Sequence, residues 1–70
     1  MAYRLYSTLR PQGDLYSNHQ DARIAMGRMV KSLEQRGFNH VEYAVQSNRE
    51  GAMMRHEISD ETIEVHISVE

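Results

Sequence analysis

Between Ser17 and Gly37 lies the one stretch with helical periodicity and both ends marked, and it limits what the rest of the chain can build. At 100° per residue, Ala22, Ala25, Met26, Met29, Val30 and Leu33 fall on one arc of roughly 140°, the width of an apolar stripe turned toward a core. Ser17 with Gln20 three residues on has capping-box spacing, and Asp21 suits a first turn, where the helix dipole favours negative charge. Arg36 and Gly37 close the segment, because a cation suits the last turn and glycine takes the left-handed conformation without steric cost. Everything else must cover that stripe.

The remaining segments alternate with a period of two. From Ala2 to Arg10, Tyr3, Leu5, Ser7 and Leu9 face one way and Arg4, Tyr6, Thr8 and Arg10 the other, the pattern of a half-buried strand. Pro11-Gln12-Gly13-Asp14 is a turn, after which Leu15-Tyr16 can return as a short second strand. Beyond the helix, Phe38 is expected under its end, and Val41, Tyr43 and Val45 alternate inward against Glu42, Ala44 and Gln46. Ser47-Asn48-Arg49-Glu50-Gly51 reads as a hairpin loop. In the strand from Met53 to Ser59 the register is open, Met54, His56 and Ile58 competing with Met53 and Arg55 for the core side. A polar turn, Ser59-Asp60-Glu61-Thr62, leads to the clearest strand: Ile63, Val65, Ile67 and Val69 inward, Glu64, His66, Ser68 and Glu70 outward. The expected fold is a single small α+β domain over residues 1–70, order β-(β)-α-β-β-β, with one helix on one face of a mostly antiparallel four-stranded sheet. The other face is expected to be wet and lined by Arg4, Tyr6, Thr8, Arg10, His40, Glu42, Gln46, Arg55, Glu57, Glu64 and His66.

Seventy residues bury only about 60% of their unfolded surface, so the stability margin of such a domain is thin. With no cysteine, disulfide frameworks and thiolate metal sites are excluded. No apolar run approaches about 18 residues, and Met1 to Tyr6 lack the core of a signal peptide, so a soluble, cytoplasmic protein with no membrane partner is expected. Net charge is −2, but residues 1–37 hold six Arg and Lys against three Asp and Glu (+3), and residues 38–70 hold two against seven (−5). Such a dipole steers partners more than it sets the fold.

Four constellations carry possible chemistry. His40-x-Glu42 and Glu64-x-His66 are metal-compatible residue types, but in a meander they lie about 9–10 Å apart, too far for one ion; no metal or other cofactor is expected. No nucleophile-elbow or phosphate-cradling glycine pattern is present, and the reading is non-enzymatic. Arg4, Tyr6 and Arg10 share one strand face and could stack a base while neutralising phosphates, although the pI near 6.0 and the neighbouring Glu42, Glu57 and Glu64 oppose this. Ile24 stands opposite the core stripe, beside Gln20, with Gly27, Arg28, Lys31 and Gln35 around it, an apolar centre with a polar rim. The final strand, were it at a sheet edge, would invite a homodimer.

No motif ties the chain to a family. In size, absent cysteine, missing catalytic residues and divided charge it resembles, in a general way, the small proteins with which phages and mobile elements block host machinery, anti-CRISPR proteins among them. That resemblance implies an inhibitor or regulator that binds a larger complex. The expected partner is a protein, docking on Ile24, Gly27, Arg28, Lys31 and Gln35; the alternative is nucleic acid on Arg4, Tyr6 and Arg10.

Overall fold

One 17-residue helix, α1 (His19–Gln35), lies across one face of an antiparallel sheet in the computed structural model, which describes residues 1–46 and 49–70. Its strands are β1 (Tyr3–Ser7), β2 (Asp14–Tyr16), β3 (Phe38–Gln46), β4 (Arg49–His56) and β5 (Thr62–Val69), in the spatial order β2-β1-β5-β4-β3. The α+β class and the sequence of elements are as expected, with five strands where four were expected because Asp14–Tyr16 pairs with β1.

The helix forms as its pattern dictates, one residue later than the Ser17 cap implied. Asn18 is the cap: extended at φ −139°, ψ 159°, it accepts a hydrogen bond from the Asp21 N–H at 2.8 Å. At the other end the Gly37 N–H bonds the Glu34 carbonyl at 3.1 Å and Gly37 takes φ +95°, closing the helix. Ala22, Met26, Val30 and Leu33 are buried, and Ala25 and Met29 pack partly buried beside them. They meet Leu5, Phe38, Ala52, Met54, Ile63, Val65 and Ile67 from the sheet.

Several strand expectations are corrected. β1 ends at Ser7, where paired backbone bonds between Ser7 and Arg10 (3.1 and 3.2 Å) fold the chain back, so Leu9 is exposed rather than inward. Gly13, at φ +64°, lets the returning backbone lie against β1; a Cβ there would sit 2.2 Å from the Leu5 carbonyl oxygen. Arg49, Glu50 and Gly51 belong to β4, not to a loop, and Ser47 and Asn48 lie outside the described residues. In β4 the core side is Ala52 and Met54, while Ile58 is exposed in the following turn.

The last strand is not at an edge. β5 pairs with β1 through Tyr3↔Val69 to Ser7↔Val65 and with β4 through Arg49↔Ser68 to Arg55↔Thr62. Its backbone groups are engaged on both sides, so the homodimer expected through it has no free ladder to use.

β3 departs furthest from expectation. The register with β4 breaks between His40 and Glu42, a bulge at Val41. Opposed residues in an antiparallel pair share a face, so His40 (opposite Met54) and Tyr43 and Val45 (opposite Ala52 and Glu50) are on the helix side. Phe38 is buried under the helix end, but Val41, Tyr43 and Val45 are 46%, 52% and 66% exposed. A helix about 10 Å wide spans two or three strands at about 4.8 Å each, and the distal part of β3 lies past its reach.

Candidate functional site

On α1, Ile24, Gly27, Arg28, Lys31 and Gln35 recur at intervals of three, four and seven residues, which brings them to one outward face about 16 Å long. All five are exposed, Ile24 at 48%, and the space where a Gly27 Cβ would project is open for 4 Å. Arg28 and Lys31 make no ion pair among the described residues. Other cations are engaged: Arg4 with Glu70 and, at 2.6 Å, with the Gln12 carbonyl; Arg10 with Asp14 at 3.1 Å; Arg23 with Glu50 at 3.5 Å; Arg49 with the His66 ring at 3.4 Å. Arg36 and Arg55 are likewise unpaired among the described residues, but only Arg28 and Lys31 flank an apolar side chain on a rigid helix.

The three strand residues singled out for nucleic acid are only partly brought together. Arg4 and Tyr6 share the open sheet face, whereas Arg10 lies beyond the end of β1 in the turn to β2. Tyr6 leans on the His66 ring, centroids 5.3 Å apart. Beside them is a hollow of about 170 Å³ lined by Glu42, Ala44, Arg49, Met53, Glu64 and His66, short of the roughly 300 Å³ at which ligand sites begin. Burial, and then the charge of Arg49, hold the His66 imidazole below its ordinary pKa against the opposing pull of Glu64. Glu64 and Glu42 line this hollow, but His40 is on the other side of the sheet, carried there by the bulge, so the His40-x-Glu42 pairing does not form.

A cluster that the sequence reading missed lies where the helix meets β3 and β4. Glu50, 6% exposed, accepts the Tyr43 hydroxyl on one carboxylate oxygen and faces His19 Nε2 at 3.2 Å with the other, with Arg23 Nε at 3.5 Å. Tyr3 stacks on His19 at 5.1 Å. Burial, the largest single influence, raises the Glu50 pKa, but the bonds from Tyr43 and His19 and the charge of Arg23 together outweigh it and leave the carboxyl below its ordinary range. Tyr43, bonded to that carboxylate, is raised. Both carboxylate oxygens are occupied and no nucleophile adjoins them, so the cluster ties α1 to the hairpin and offers no spare base. The signal that could have found it is parity, since Glu50 continues the inward series of Ala52 and Met54.

No described helix is long and apolar enough to cross a membrane. Compared with known proteins, the chain matches no family model, no curated protein and no solved structure.

Proposed function

We propose that the protein is a non-enzymatic, cytoplasmic protein-binding module, a small inhibitor or regulator of a larger complex, that docks through the outer face of α1. The observation that supports this is the contrast between cations: Arg4 on β1 and Arg10 in the turn after it are paired with Glu70 and Asp14, while Arg28 and Lys31 flank Ile24 with no ion pair among the described residues. An apolar anchor ringed by free cations suits an acidic protein surface, where the cations speed encounter and the isoleucine and arginine serve as hot spots. Nucleic acid fits less well, because Arg4 and Arg10 would first have to leave their carboxylates.

The test is the double variant Ile24→Asp, Arg28→Asp. Its thermal unfolding should match the wild type within about 0.5–1 kcal/mol, since both side chains point away from the core. Its affinity for a protein captured by the wild type from cells should fall about 30-fold or more. Undiminished capture by a normally folded double variant overturns the assignment and moves attention to the acidic half, Glu42 to Glu70. A steeply salt-dependent shift of DNA or RNA by the wild type, lost in Arg4→Glu, Arg10→Glu, would favour the nucleic-acid alternative.

A further inference from the structure

The sheet has two edges of unequal character. β2, three residues long, is too short to offer much of a ladder, whereas β3 runs for nine residues with its outer side unpaired among the described residues. Natural edges are blunted by short length, proline, charge or bulges. β3 has a bulge at Val41, but past it the strand is regular, contains no proline and carries one charge, Glu42, in Glu42–Gln46.

We infer that this segment is the pairing edge of a homodimer, in which two copies add β3 to β3 antiparallel about a two-fold axis at Ala44, joining two five-stranded sheets into one of ten. The edge of β3 meets the Ile24 face only where Gly27 and Tyr43 line one hollow, and the inference does not depend on that face. The occupant and the register follow from the sequence of the segment. With the axis at Ala44, Tyr43 of each copy lies opposite Val45 of the other on the helix side, an aromatic and β-branched pair formed twice. Glu42 then meets a neutral Gln46 position. Moving the axis to Glu42 sets carboxylate against carboxylate, and moving it to Tyr43 runs the ladder through the bulge. A slip by a single residue turns Tyr43 and Val45 against the opposite face.

Charge supports the same register on the open face. Arg49, which lies beside Gln46 on the neighbouring strand, falls two strand spacings, about 9–10 Å, from Glu42 of the partner copy. Opposite charges at the ends of long side chains can close that distance. The patch is self-complementary, as a two-fold interface requires. The exposure of Tyr43 and Val45, at odds with their inward alternation, is then the exposure of half an interface.

The experiment uses the full chain. Light scattering from micromolar to millimolar concentration should show mass rising from 8.2 kDa toward twice that value. Val45→Lys should melt like the wild type at dilute concentration yet weaken association tenfold or more. Because the chain has no cysteine, Ala44→Cys reports the register directly: opposed residues across antiparallel strands have Cα atoms about 4.5–5.5 Å apart, within disulfide range. Mild oxidation should give a covalent dimer from Ala44→Cys and leave Ser32→Cys, on α1, a monomer. A wild type that stays monomeric at millimolar concentration, a dimer indifferent to Val45→Lys, or cross-linking no faster at 44 than at 32 overturns the inference. Each of these results leaves the Ile24 test untouched.

Discussion

β5 and β3 carry the same pattern and meet opposite fates. Ile63, Val65 and Ile67 alternate with polar residues, as Tyr43 and Val45 alternate with Glu42, Ala44 and Gln46, and both sets point to the helix side. The first three are 2%, 0% and 2% exposed; the other two are more than half exposed. Alternation reports the face of a sheet, while burial depends on how far a strand stands from the element that covers that face. β5 sits between β1 and β4 beneath the helix, and β3 is the outermost strand on its side. β5 therefore buries its whole inward series, while β3 is anchored by Phe38 and by the Tyr43 hydroxyl on Glu50 and leaves the apolar surface of Val45 and most of the Tyr43 ring outside the core.

The sharpest way to break that comparison is to shorten an apolar side chain on each strand. Ile67→Ala should lose about 2–4 kcal/mol, through buried methylenes removed and the cavity left behind, and lower the melting temperature by many degrees. An unchanged melt would place the core elsewhere. Glu50→Gln, at the anchor point of β3, should cost about 1–3 kcal/mol by weakening charge-assisted hydrogen bonds from Tyr43 and the pairing with Arg23. Its pH dependence has a definite sign. The folded carboxyl ionises below its ordinary value of 4.5, so its stabilisation is complete above about that pH and is lost as pH falls through the folded pKa. Wild type and variant should therefore converge in chemical denaturation as the pH is lowered below the ordinary carboxyl range; a constant gap would mean that Glu50 is not held ionised. Smallest of all, Val45→Ala measured at micromolar concentration should change stability by less than about 0.5 kcal/mol. A loss rivalling that of Ile67→Ala would show Val45 to be core and erase the difference between the strands.

What the sequence made legible follows the same division. The helix stripe and the inward series Ile63, Val65, Ile67 were readable because local periodicity and burial coincide under the helix. The choice of Asn18 over Ser17 as cap was not, since both residue types cap well and a one-residue shift leaves the apolar arc intact. Glu50 was hidden by its neighbours: beside Asn48 and Gly51 it looks like loop, and only the register of β4 shows it facing inward. Simple alternation puts His40 on the open face, but a bulge adds one residue and reverses parity, and no residue in Asn39-His40-Val41 announces it. On α1, the face bearing Ile24 was visible from the helical wheel alone. That Arg28 and Lys31 are among the cations left unpaired among the described residues is not, because pairings such as Arg4 with Glu70 join residues distant in sequence.

The central place of β5 also fixes an order of events. β3 and β4 are neighbours along the chain, and their ladder closes locally from Gln46↔Arg49. β1 waits: its pairing partner on the inner side is residues 62–69, so Tyr3 must find Val69 across nearly the whole chain. Non-local closures of this kind are the slow ones, and on a ribosome the middle of this sheet has no neighbour to offer β1 until the final strand has been synthesised. Without that strand, the inner edges of β1 and β4 have no partner among the described strands, and β1 and β2 share no ladder with β3 and β4.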